Sequence, residues 1–253
     1  MEKTCPYDST NLFFIFQADG SIMPTMNILR PRIFEPFKDQ IWAGFLGVET
    51  QDFASLQDSI PISPLQIYQP KQVHGKTVVP VGAQNFVPVV ETNCNLSLQN
   101  PVIADGIYTT EKNICCTVKT ADCIGLLLYH PQSGAVSALH AGWRGLAQKI
   151  FTEFFQISKI PGEECFVALS PSLGPCCSEF SNPLEETPEF FHPFVRGKFV
   201  DLWSIAKAEL LANGVQEENI EMPAFCTKCD PEKRFWSYRR GESGRNLSGI
   251  MVL

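Results

Sequence analysis

The segment "KTADCIGLLLYHPQSGAVSALHAGWRGLAQKI" (residues 119–150) decides the fold, because the spacing of its apolar residues changes along its length. "CIGLLLYHPQSG" is a nearly unbroken apolar run closed by a Pro/Gly turn, which predicts a buried strand. "AVSALHA" alternates, so it predicts a second strand following that turn. Past the Gly-Trp-Arg-Gly turn, Leu146, Ile150 and Phe154 fall four apart, with Phe151 and Phe155 flanking the stripe. That spacing predicts one amphipathic helix over "RGLAQKIFTEFFQIS".

Upstream, "GIYTT" and "NICCTVKTA" are β-rich runs separated by the turn-like "EKN", and "KTVVPVG" alternates like a strand. "NLFFIFQADG" also reads as a strand. Between Met23 and Pro70 prolines interrupt the pattern, leaving "IWAGFLGV" as a strand and "ETQDFASLQDSI" as a short helix. Downstream, "ECFVALSPSLGP" is a strand running into a Gly-Pro turn. "DLWSIAKAELLANG" is a helix with Asp201 as N-cap and Asn213-Gly214 as its stop. "FWSYRRGESGRNLSGIMVL" reads as strand, polar loop, strand. Strands outnumber helices and do not alternate regularly with them, so the expected class is α+β.

With 253 residues, 44% of them hydrophobic and 19% charged, the chain has material for a sizeable core and is expected to form one domain. The net charge is −7 and no Lys/Arg block exceeds two residues, which argues against nucleic-acid or membrane partners and favours a small molecule. The N-terminal apolar run, "LFFIF", lacks a basic flank, and no apolar stretch is long enough to span a bilayer; a cytoplasmic location is expected. The ten cysteines are too sparse for a disulfide scaffold and are expected as reduced thiols.

Within the deciding segment, His140 ends a strand and Ala-Gly-Trp-Arg-Gly follows before the helix. Free backbone N–H groups and the helix dipole would then surround one small space, where Arg144 could add a bidentate donor for a phosphate. Cys123 lies across the expected hairpin from His140, and His74 in "KQVHGK" sits in an accessible polar turn. Together they would form a three-ligand metal site with an open fourth position. Each also has a plain structural reading, as a buried thiol or a locally hydrogen-bonded imidazole. His130 and His192 read as structural or exposed. "CTKC" (Cys226 and Cys229) is a competing metal motif, but the adjacent Cys176 and Cys177 do not have the spacing of a second such knuckle. Arg239, Arg240 and Arg245 gather in "SYRRGESGR", either a solvated loop or one facing an anionic substrate.

Taken in order, "KQVHG", "ADGIYTT", "VKTADC", "HAGWRG", "LSPSLGPCC" and "FWSYRRGESGR" strongly resemble the YfiH-type laccase-domain family, described as polyphenol oxidases and more recently as purine nucleoside phosphorylases. The resemblance runs roughly from Pro70 onward. It implies a β-sandwich-like core of mixed sheets flanked by helices, cysteine-hydrolase-like as in the catalytic domain of cytotoxic necrotizing factor. It also implies His74, Cys123 and His140 as the catalytic metal ligands. The Thr-Thr-Arg/Gly-Gly strand and Asn-Leu-Gly segment usual in the family are not found before Pro70. The chain is therefore read as one domain over 1–253 with a divergent part over 1–69. "CCSEF" also stands where a Tyr usually follows the two cysteines.

The activity implied is phosphorolysis of purine nucleosides (adenosine, inosine, guanosine, methylthioadenosine) together with adenosine deamination, with nucleoside and phosphate as partners. Zinc, rather than copper, is the expected cofactor: a His₂Cys zinc would activate water for attack on the purine ring. Phosphate near the ribose would stabilise the oxocarbenium character that builds as the glycosidic bond breaks, with Arg144, Arg239 and Arg240 as candidate binding residues. Asp122 and Asp105 are candidate acids or orienting groups. Two competing enzymatic readings are a cysteine amide hydrolase using Cys123 and His140 and a copper-dependent polyphenol oxidase, for which four histidines supply too few ligands. A non-catalytic binding module is the third alternative.

Overall fold

The computed structural model describes residues 28–48, 66–82 and 102–253. One sheet contains β1 (Ile28–Leu29), β2 (Ile41–Leu46), β3 (Gln66–Tyr68), β6 (Ile114–Thr120) and β13 (Asn246–Val252), in the order β1-β2-β13-β6-β3. A second contains β4 (Val78–Pro80), β5 (Gly106–Thr109), β7 (Ile124–His130), β8 (Ala135–Ala141), β9 (Phe166–Leu169) and β12 (Ile220–Glu221), in the order β12-β9-β7-β8-β5-β4. Both sheets are mixed: β3 runs parallel to β6, β4 to β5 and β12 to β9, while the other pairings are antiparallel. A small hairpin joins β10 (Val195–Arg196) to β11 (Phe199–Val200).

The unbroken apolar run of β7 follows from its place in the layers. Leu127 and Tyr129 face the first sheet, among Phe45, Ile114, Val118 and Ile250. Ile124, Leu126 and Leu128 face the opposite way, toward the helices. A strand covered on both faces has no solvent side for polar residues. The hairpin expected from the sequence is present, with β7 antiparallel to β8 and Ile124 opposite Ala141.

Among the described residues the α-helices are α1 (Trp143–Ala147), α2 (Ile150–Ser158), α3 (Pro183–Glu186) and α4 (Leu202–Ala212). α2 and α4 bury Phe151, Phe154, Trp203 and Ile205 against the second sheet. Each fully buried apolar side chain contributes about 1.5–3 kcal/mol of hydrophobic stabilisation. Asp201 caps α4 as expected, its carboxylate accepting from the Ser204 N–H at 3.0 Å.

Two expectations are corrected. The single helix expected across residues 144–158 is two helices, divided at Lys149, whose φ of 60° is left-handed. A stripe of apolar residues four apart does not distinguish a continuous helix from two short ones buried on the same side. "FWSY" is not a strand. The Trp236 N–H instead donates to the Asn246 side-chain carbonyl, and the Asn246 amide donates back to Trp236, before a 3₁₀ turn at Tyr238–Arg240. The readings of "NLFFIFQADG" and "ETQDFASLQDSI" lie outside the described residues. Among the described residues no helix is long and apolar enough to cross a membrane.

Candidate metal centre

Cys123 immediately precedes β7 and His140 is the penultimate residue of β8, so the hairpin brings both to one end of the second sheet. His74 arrives on the segment between β3 and β4. That segment is fixed by Gln72, whose side-chain amide exchanges two hydrogen bonds with the Lys119 backbone, at 2.7 and 2.8 Å. The ligand atoms of His74, Cys123 and His140 all lie within 4.8 Å of one another. The imidazoles of His74 and His140 meet edge to face, with ring centroids 4.8 Å apart.

Asp105, fully buried, organises this convergence. One oxygen lies 2.9 Å from His140 Nδ1, a contact in which the imidazole donates to the carboxylate, so Nε2 is the nitrogen left available to a metal. The same carboxylate accepts the backbone N–H groups of Val73, His74 and Gly75, the last at 2.7 Å. It thereby holds His74 in a left-handed conformation, φ 60°, that the residue would otherwise avoid. Burial opposes ionisation of Asp105, but the hydrogen bonds from His140, Gly75 and His74 outweigh it and keep the carboxyl below its ordinary range.

At Cys123, burial would raise the thiol, but hydrogen bonding to His140 and His74 brings it down to about 7. Burial likewise disfavours the His140 imidazolium, yet Asp105 and Cys123 raise that group to about 9. The site therefore favours a thiolate among nitrogen donors, the chemistry of a soft or borderline divalent ion. Gly142 allows the close approach: a Cβ there would lie 3.0 Å from the Cys123 sulfur and 3.3 Å from the His74 ring.

The other expected site residues are placed differently. Arg144 is exposed on α1, its guanidinium stacked 4.4 Å over the Trp143 ring. Arg239 donates its backbone N–H to Asp122 at 2.7 Å and a side-chain N–H to the Glu179 carbonyl. Arg240, expected to face substrate, instead directs its guanidinium inward to the carbonyls of Thr227 and Phe235 and to Glu242. Asp122 accepts from the Thr227 hydroxyl at 2.6 Å as well as from Arg239, so it supports the loop before Cys123. His130 is buried at the far end of β7, against Ser133 and Glu164.

Sequence reasoning did not single out Gln72 or Thr227, neither of which has a motif signal beyond adjacency to "VHG" and "CTKC". It also set aside the grouping of Cys176, Cys177, Cys226 and Cys229, whose sulfur atoms all lie within 4.8 Å of one another. The spacing rule for paired knuckles does not apply when one pair is vicinal and each pair lies in its own loop.

A family model described as "multi-copper polyphenol oxidoreductase laccase" matches residues 49–253. The purine nucleoside phosphorylase YlmD of Geobacillus stearothermophilus is 30% identical over 71% of this chain and 70% of its own length. Its crystal structure superposes with a TM-score of 0.72 at 23% identity, covering 95% of this chain and 99% of that one. The purine nucleoside phosphorylase PA4543 of Pseudomonas aeruginosa is 31% identical over 72% of both chains. The adenosine deaminase RL5, from an unidentified prokaryote, is 29% identical over 58% of this chain and 61% of its own. The chain spans 60% of the length of the purine nucleoside phosphorylase of Bacteroides thetaiotaomicron and 58% of that of YlmD from Bacillus subtilis.

Proposed function

Because this chain belongs to the laccase-domain family whose model it matches over residues 49–253, we propose that it is a zinc-dependent purine nucleoside phosphorylase with accompanying adenosine deaminase activity. The observation that carries the reading is the convergence of His74, Cys123 and His140 around the buried Asp105. Support for the substrate class comes from the relatives named as purine nucleoside phosphorylases and as an adenosine deaminase.

The donor set fits zinc: two imidazoles and a thiolate leave a fourth tetrahedral position open. When bound, the ion supplies Lewis acidity and water activation at that position. The chain's own residues do the rest. Asp105 fixes the His140 ring and carries the turn that presents His74. Asp122 anchors the loop leading to Cys123 through Thr227 and Arg239. Arg144, two residues after Gly142, presents a stacked and exposed guanidinium for phosphate, and Arg239 is the second candidate for that role. Arg240 is assigned to holding its own loop. Of the four histidines, only His74 and His140 reach the site, a ligand supply that fits one ion rather than a set of coppers.

The relay from Asp105 through His140 to Cys123 is also the geometry of a thiol nucleophile. A second imidazole on the same sulfur favours metal binding. The two readings separate by alkylation: a zinc thiolate resists iodoacetamide until chelation, whereas a nucleophile reacts at once.

The functional test is metal analysis of the purified protein, followed by incubation with adenosine, with and without phosphate. Adenine and ribose 1-phosphate formed only with phosphate, or inosine and ammonia formed without it, are the expected products. Cys123→Ala is expected to lose the ion at this site and both activities together. Turnover of adenosine by metal-free protein would overturn the assignment.

A further inference from the structure

Cys176 and Cys177 lie on the turn after β9, and Cys226 and Cys229 on the connection after β12. The two loops are bridged in parallel at Ser172 and Cys226, and the Thr227 N–H donates to the Ser172 carbonyl at 2.9 Å. The four sulfur atoms lie within 4.8 Å of one another, with Cys176 and Cys229 3.5 Å apart. A zinc–sulfur bond of about 2.3 Å gives a tetrahedron with edges of about 3.8 Å. The observed separations fit that figure and exceed the roughly 2.0 Å of a disulfide.

The backbone around Cys226 is arranged for a sulfur anion. The Gly174 N–H donates to its sulfur at 3.2 Å, and the Cys229 N–H also hydrogen-bonds the Cys226 sulfur. The Asp230 N–H closes the turn on the Cys226 carbonyl at 3.0 Å. Gly174 permits this packing, since a Cβ there would lie 3.0 Å from the Cys226 Cβ.

We propose that Cys176, Cys177, Cys226 and Cys229 form a second, four-thiolate zinc site that fastens these two loops together. Four protein ligands fill the coordination shell and leave no open position, so the role is structural. The fastened loops are those that hold Asp122: the Leu173 N–H donates to its backbone carbonyl at 2.9 Å, and the Thr227 hydroxyl to its carboxylate. The cluster thus supports the loop that carries Cys123, as a positioning element behind the first site. It is independent of the nucleoside reading, because its ligands and readout do not involve turnover.

The test uses the full chain purified without chelators. A Cys123→Ala/His140→Ala double variant is expected to retain about one zinc per chain, with X-ray absorption showing four sulfurs at about 2.3 Å. In the unaltered protein the mean is then about two and a half sulfurs per zinc, against about one if only the first site is filled. This second measurement holds even if the double variant fails to fold. Cys226→Ser/Cys229→Ser is expected to lose the four-sulfur signal. A double variant that folds without metal, iron in place of zinc, or a sulfur count near one in the unaltered protein would overturn the proposal.

Discussion

Asp105 supplies no ligand, yet four hydrogen-bond donors converge on it: the His140 ring and the backbone N–H groups of Val73, His74 and Gly75. Asp105→Asn is expected to weaken zinc affinity about 10- to 100-fold, the usual cost of losing the partner of a ligating imidazole. Competition against a calibrated chelator measures it, and unchanged affinity would count against the orienting role. Arg144→Ala is expected to raise the phosphate KM about tenfold or more, as for a lost charge-assisted hydrogen bond, with little change in zinc content. Initial rates across a phosphate series check this. The grouping of His74, Cys123 and His140 was legible because family motifs surround all three; taken alone, each residue also read as a buried thiol or a locally hydrogen-bonded imidazole. Asp105 was seen only as an acid or orienting group, since a carboxylate beside Gly106 looks the same in either role. Arg240 looked like its neighbour Arg239; only packing separates an inward guanidinium from an outward one.

At the scale of elements, apolar periodicity was most informative where a strand or helix had a single covered surface or none open. β7 and β8 were legible because their runs are short and end in a recognisable turn. The break at Lys149 was not, because burial of Leu146 and Ile150 is compatible with either path. A contact between α2 and α4 was hidden as well. Glu209 on α4 accepts the Thr152 backbone N–H and hydroxyl from α2, at 2.9 and 3.2 Å. Burial pushes its carboxyl up to about 7, against the opposing hydrogen bonds from Thr152. A raised folded-state value means that the folded chain holds a proton the unfolded chain has already lost. Stability from this group is therefore fully present below about pH 4.3 and falls as pH rises through about 7. Glu209→Gln keeps an acceptor without the charge, so it is expected to exceed the unaltered protein in stability at pH 8, by a margin that closes toward pH 4. Urea unfolding at a series of pH values measures the difference, and a pH-independent margin would refute the assignment.

For the molecule as a whole, the α+β class followed from the counts and order of elements and the mixed sheets from the family resemblance, whereas the strand neighbours followed from neither. Nothing in local sequence states that β13 lies between β2 and β6, or that loops after β9 and β12 bring two cysteine pairs together, because these are contacts between distant segments. The position of β13 has a consequence during synthesis. β2 and β6 leave the ribosome long before residues 246–252, and each pairs along its length with that later strand. Until then the nascent chain carries two exposed strand edges, the kind of surface that invites misassociation and chaperone capture. In an arrest-peptide force profile, the largest pull is expected only once Asn246–Val252 has cleared the exit tunnel. Slowing translation just before that point is expected to lengthen the vulnerable interval rather than help the chain fold.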